Sequence, residues 1–172
     1  MESGAQTASR LEANKKLVQS FIDEVLNNHN YDVADELCAE DHVLHHPAQP
    51  APVRGRQGLK DITEEVGIAF PDWHMVVEQF VAEDDWVVAY TSLTATNTGP
   101  LSGGKPSGKS VRQTGITFYR VVDGKIVEVR IREDILYMLQ SLGAIPKNLP
   151  VLQVMNKIGV VRLLQKLGKI PS

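Results

Sequence analysis

Cysteine is nearly absent from the 172 residues. Cys38 stands alone, so an internal disulfide is excluded; without a CxxC pair or a Cys/His ladder, so is a structural zinc site. Cys38 follows Leu37 on a helical pattern and is expected to serve packing. Long apolar runs are missing as well, and no segment approaches the ~20 consecutive apolar residues that span a bilayer. Met1 to Ser9 lacks the charged start and apolar block of a secretory leader. A soluble, cytoplasmic protein is the expectation. The length suits one domain with a sizeable core and is short for two of ordinary size.

The charge is unevenly spread along the chain. Residues 144–172 carry Lys147, Lys157, Arg162, Lys166 and Lys169 and no Asp or Glu, which makes this tail +5 in a chain whose net charge is −3. The remaining body, at −8, is a poor match for nucleic acid, whose recognition begins with a basic face. The pattern divides the chain into a domain over 1–146 and a basic amphipathic helical extension over 147–172. "LQSLGAIP" (139–146) recurs as "LQKLGKIP" (164–171), the same helix stop used twice. Val154, Ile158, Val161, Leu164 and Leu167 form one apolar stripe. Docking of this tail on the acidic body or a partner subunit ranks above contact with a membrane surface.

Apolar spacing of three and four predicts a helix from Ser9 to Asn28, a second from Asp32 to Ala39 with Asp32 as its N-cap, and a third through Leu59, Ile62, Val66 and Phe70. His42 to His46 reads as extended and ends at Pro47. The period then changes to two. Trp73 to Ala82, Trp86 to Asn97, Ser110 to Val122 and Lys125 to Arg132 are rich in β-branched and aromatic residues and predict an antiparallel meander, with hairpin turns at Glu83-Asp84-Asp85 and Asp123-Gly124. A last helix runs from Asp134 to Leu142 and stops at Gly143. Counting back from a two-residue turn at Asp123-Gly124 opposes Phe118 to Val129 and Ile116 to Ile131. Thr114, Ile116, Phe118, Arg120, Val127, Val129, Ile131 and Glu133 then share the face the helices cover. On the strand from Trp86, Ala89, Thr91, Leu93, Ala95 and Asn97 are expected to face in.

Gly103 to Ser110 (GGKPSGKS) matches the phosphate-binding loop formally, but that loop works at the N-terminus of a helix and a β-patterned segment follows here. His42, His45 and His46 would suit a metal on a helix. On an extended segment, at ~3.3 Å per residue, His42 and His46 lie about 13 Å apart and His45 points the other way. His45 and His46 are therefore read as acid–base or hydrogen-bonding groups in a pocket, and His42 as a surface residue.

The element order, together with ANKKLVQSFIDEVLNN (13–28), GRQGLKD (55–61), AFPDW (69–73), PSGKSV (106–111), TGITFYRVVDGKIVE (114–128) and LQSLG (139–143), resembles the SnoaL-like polyketide cyclase family over about residues 13 to 145. The resemblance implies the α+β, cone-shaped fold of the nuclear transport factor superfamily, a curved antiparallel sheet wrapped around N-terminal helices with an apolar pocket. It implies a hydrophobic substrate site without cofactor or metal, and an Asp on the last strand as general acid/base for an intramolecular aldol step. Ile131 occupies that Asp position here. Asp134 matches a later family Asp and is read first as a helix N-cap; Thr117 and Asn97 stand where relatives carry His, and His45 remains in "HVLHHP".

These residues lead to the expectation of a cofactor-independent cyclase or isomerase of secondary metabolism. Its substrate would be a hydrophobic polyketide- or terpenoid-like molecule, with ring formation either acid–base-assisted or pericyclic. His45, His46, Glu133 and Asp134 are the catalytic candidates, Glu133 being alternatively a rim carboxylate. Trp73, Thr91, Asn97, Ile116, Phe118, Val129 and Ile131 are expected to line the substrate cavity. A homodimer is expected by family analogy. The alternative is a non-catalytic module that binds a small molecule or joins subunits after loss of the family Asp.

Overall fold

The structure, a computed structural model, describes residues 4–101 and 103–146. The tail from 147 onward, with the helix expected there, lies outside the described residues. Helix α1 (Gly4–Ser20) continues without a break into a π-helical turn (Phe21–Asn27), and a 3₁₀ turn (Tyr31–Val33) leads into the short α2 (Ala34–Leu37). Asp32 falls inside the 3₁₀ turn rather than capping a helix, and Cys38 opens a strand. Strands β1 (Cys38–His45) and β2 (Val53–Arg54) precede α3 (Gly55–Ala69). The meander β3 (His74–Glu83), β4 (Trp86–Thr96), β5 (Ser110–Val122) and β6 (Lys125–Glu133) follows, and then α4 (Ile135–Leu142).

The six strands form one curved, unclosed sheet in the order β2-β1-β6-β5-β4-β3. The meander is antiparallel as its period-two pattern requires, and β1 joins it by pairing parallel with β6. Both hairpin turns use left-handed backbone, at Asp84 (φ 49°) and at Asp123 and Gly124 (φ 50° and 71°). The Asp-Gly pair thus adopts the positive φ at both positions that a type I′ turn demands. No helix among the described residues is long and apolar enough to cross a membrane.

The main core forms where one stripe of the first helix meets the concave side of the sheet. Val18, Phe21, Ile22 and Val25 pack with Leu44, Leu59, Val87, Ala89, Tyr119 and Ile126. A smaller cluster of Ala69, Phe70, Ala95, Val111 and Leu142 seats α4 against the ends of α3, β4 and β5. On β4 the alternation is as expected, with Ala89, Thr91, Leu93, Ala95 and the following Asn97 buried.

On β5 the face is the opposite of the one expected. Val111, Gln113, Thr117, Tyr119 and Val121 are buried, whereas Ile116 and Phe118 are 42% and 39% exposed on the convex side. A bulge is the physical reason. Arg120 pairs with Glu128 and Val121 with Ile126, so Val127 is an extra residue on β6. Past that insertion Tyr119, not Phe118, stands opposite Val129, and Thr117, not Ile116, opposite Ile131. One inserted residue transfers a whole strand to the other face.

His42 also departs from expectation, being fully buried in the core. Its Nδ1 lies 3.2 Å from the Ile126 carbonyl oxygen, to which it donates. Burial holds the imidazole below its ordinary range, the Ile126 hydrogen bond pulling the other way. A base with a lowered folded pKa binds fewer protons folded than unfolded. Its contribution is therefore present above the unfolded pKa of about 6.5 and is lost as pH falls through that value. Melting temperature should drop more steeply from pH 7 to 5 in the native protein than in His42→Leu; parallel curves would contradict this.

Candidate functional site

A cavity of about 640 Å³ lies between the concave sheet face and the helices, floored by Phe21, Leu44, Leu59, Leu93, Tyr119, Val129 and Ile131. Its wall is mostly apolar, and polar groups are few, which is the usual make-up of a small-molecule site. Helix α4 closes one side with Met138 and Leu142, and the segment between β4 and β5 contributes Leu101, Lys105 and Ser107. The glycine-rich motif belongs to that segment, and β5 begins at its Ser110, so a strand and not a helix follows it.

Alternation along β1 sends His42 and Leu44 inward and carries His46, just past the strand end, to the same side. His46 Nε2 lies 2.9 Å from Glu133 Oε1. The His46 Nδ1 accepts the Ala48 N–H at 3.1 Å, which leaves the ring proton on Nε2, donating to Glu133. The second carboxylate oxygen, Oε2, accepts from Gln113 Nε2 at 2.9 Å. Glu133 therefore stands on the cavity wall with one donor on each oxygen and lone pairs to spare on both. Gln113 Oε1 and Trp73 Nε1 are buried with no hydrogen-bond partner among the described residues.

The four catalytic candidates thus separate. His46 and Glu133 meet in the cavity. His45 lies on the other face, its Nε2 3.0 Å from Glu128 Oε1, in a surface cluster with Arg130, which in turn stacks over Trp86. Glu128 is held below the usual carboxylate range, chiefly by the Arg130 hydrogen bond. Asp134 caps α4, its Oδ1 accepting the Tyr137 N–H at 2.9 Å. Neither His45 nor Asp134 lines the cavity.

Of the seven expected lining residues, Trp73, Thr91, Asn97, Val129 and Ile131 do line it, and Ile116 and Phe118 do not, because of the bulge. Asn97 is fully engaged with backbone. Its Nδ2 donates to the Gly99 and Ala69 carbonyls at 2.9 and 3.3 Å, and its Oδ1 accepts the Ser107 N–H at 2.8 Å. It pins the β4–β5 segment and has no donor left to orient a ligand. Thr91 Oγ1 makes only a long 3.4 Å bond to the Gly115 carbonyl. Sequence reasoning missed Gln113, which the true β5 parity brings in, and also His29, which lines the cavity from the end of the π-helical turn.

A family model for SnoaL-like polyketide cyclases matches residues 16–142. The chain belongs to this family. Among solved structures, a candidate SnoaL-like polyketide cyclase from Jannaschia sp. CCS1 is 28% identical with a TM-score of 0.72, covering 78% of this chain and 94% of its own. IdmH, a candidate polyketide cyclase from Streptomyces antibioticus, is also 28% identical, with a TM-score of 0.66, over 76% of this chain and 98% of that one. AclR, a candidate hydroxylase from Streptomyces galilaeus, is 25% identical at a TM-score of 0.68, over 79% and 99%. No curated protein matches the chain. Family membership supports a cyclase-type role, and the cone-like α+β fold is that of these SnoaL-like relatives. In this SnoaL-like chain Ile131 lines the cavity and Glu133, two residues on along β6, is the carboxylate beside it.

Proposed function

We propose that the chain is a cofactor-independent cyclase or isomerase that acts on a hydrophobic, oxygenated polyketide- or terpenoid-like molecule, with Glu133 as its proton-transfer group. The observation that carries this reading is the Glu133 carboxylate on a mostly apolar cavity wall, oriented by His46 and Gln113. Glu133 takes a proton from a carbon next to a carbonyl, and the electron pair of that C–H bond forms the enolate. In a cyclisation the enolate carbon then bonds to a second carbonyl carbon of the same molecule, and the resulting alkoxide recovers the proton from Glu133. Returning the proton to a different carbon gives the isomerisation. His46, donating through Nε2, and Gln113 fix the carboxylate, while the apolar wall holds the chain folded so that the reacting carbons meet.

A carrier of apolar ligands is the second reading, and Ile131 on the cavity wall favours it. Mass spectrometry separates the two. Small molecules extracted from the purified protein are returned to it with a chelator and without added nucleotide. Aldol addition and isomerisation both conserve mass, so the first reading expects a product isomeric with the ligand. A retained ligand that never changes would establish the carrier instead.

A further inference from the structure

We propose that His29 and Tyr31 form a second polar station of the same cavity, which binds a hydroxyl group on the end of the ligand remote from Glu133. The inference rests on the reading that the cavity takes a hydrophobic, oxygenated molecule, and adds to it that the molecule is extended and carries a hydroxyl at its far end.

His29 lies two residues past the π-helical turn, after its C-cap Asn28, and holds a left-handed backbone, φ 55°, which few side chains adopt outside Asn, Asp and His. Three contacts hold it there. Its Nδ1 lies 3.0 Å from Tyr31 Oη. On α3, Gly67 leaves room for the pair, since a Cβ there would collide with Tyr31 Oη and stand 2.9 Å from His29 Nδ1. Asn27 ties the turn to β3 through both its amide atoms, donating to the Met75 carbonyl at 2.9 Å and accepting the Met75 N–H at 2.8 Å. The imidazole is thus positioned by its neighbours, while its Nε2 has no partner among the described residues.

The surroundings define what Nε2 can bind. His29, half-buried, lines the cavity together with Leu26, Ile62, Thr63, Glu65, Val66 and Met75, so a hydroxyl bound at Nε2 takes the place of water there. Burial raises the Tyr31 phenol, with Glu64 adding to the effect, so Tyr31 keeps its proton and can donate to or accept from Nδ1. Nε2 is then donor in one tautomer and acceptor in the other, and a hydroxyl satisfies both.

The two stations stand well apart. Glu133 ends β6, whereas the His29 turn is fastened to β3, and β5 and β4 lie between those strands. Three strand spacings at ~4.8 Å make a path of about 14 Å along the sheet, shortened in space by its curvature. A compact ligand with one polar end reaches one station only.

Binding of 2-hydroxyanthraquinone and 2,6-dihydroxyanthraquinone to the full chain, measured by calorimetry, tests this. One added hydrogen bond in a largely apolar site should favour the dihydroxy probe by about 10-fold. His29→Phe should abolish that advantage while leaving the affinity for the monohydroxy probe within about twofold, which shows the cavity intact. Tyr31→Phe should reduce the advantage by loosening the imidazole. Equal affinity of the native chain for the two probes, or an advantage that survives His29→Phe, overturns the second station and leaves the cavity reading standing. Failure of either probe to bind overturns both.

Discussion

Glu133→Gln should lower turnover of the ligand identified from the purified protein by about 10²- to 10⁴-fold, the range typical for loss of a general acid–base group. The substitution keeps the side-chain shape and removes the proton acceptor. It also turns an NH₂ toward a donor, because Gln113 Nε2 already points at Oε2 and His46 Nε2 at Oε1. The loss should appear in kcat, since the apolar wall that binds the ligand is unchanged. His46→Ala should have a smaller effect through the freed carboxylate. His45→Ala, on the far face beside Glu128, should leave turnover within about twofold of native, well below the acid–base range. An undiminished kcat in Glu133→Gln would show that the carboxylate takes no part in the chemistry.

Phe21→Ala should cost about 3–5 kcal/mol of stability, the usual loss for a buried aromatic. Phe21 is 3% exposed and meets Tyr119 edge to face, with ring centroids 6.1 Å apart. It also forms part of the cavity floor, so the vacated volume adds to a space that is already open and the neighbouring helix cannot close over it. For a chain of this size each kcal/mol is worth about 2–4 °C of melting temperature, giving a fall on the order of 10 °C. A loss below about 1 kcal/mol would mean that the first helix is not anchored by this contact.

Much of the architecture was legible because period and punctuation agree. The apolar stripe through Val18, Phe21, Ile22 and Val25 marks the packed face of the first helix, and the Asp-Gly pair at 123–124 marks its hairpin. The meander follows from the change of period after Phe70. What was not legible depends on single residues with no local signature. Val127 looks like any strand valine, and nothing in its neighbours says that it is inserted, so the count from the turn puts Ile116 and Phe118 inward and Gln113 outward. The same applies to the parallel pairing of β1 with β6, which buries His42, since a short polar stretch gives no sign of its distant partner. The β6 side of the site escaped this error. Val129, Ile131 and Glu133 lie between the bulge and the strand end, where the parity count agrees with the observed burial.

The central claim is that Glu133 moves a proton on carbon inside the cavity, and isotope exchange measures that without knowledge of the natural substrate. 1-Tetralone, an apolar bicyclic ketone, is incubated with the protein in D₂O and the loss of its α-proton signal is followed by NMR. The account predicts that the native chain accelerates this exchange over buffer and that Glu133→Gln at the same concentration does not. Exchange equally fast with the native chain and with Glu133→Gln would contradict it.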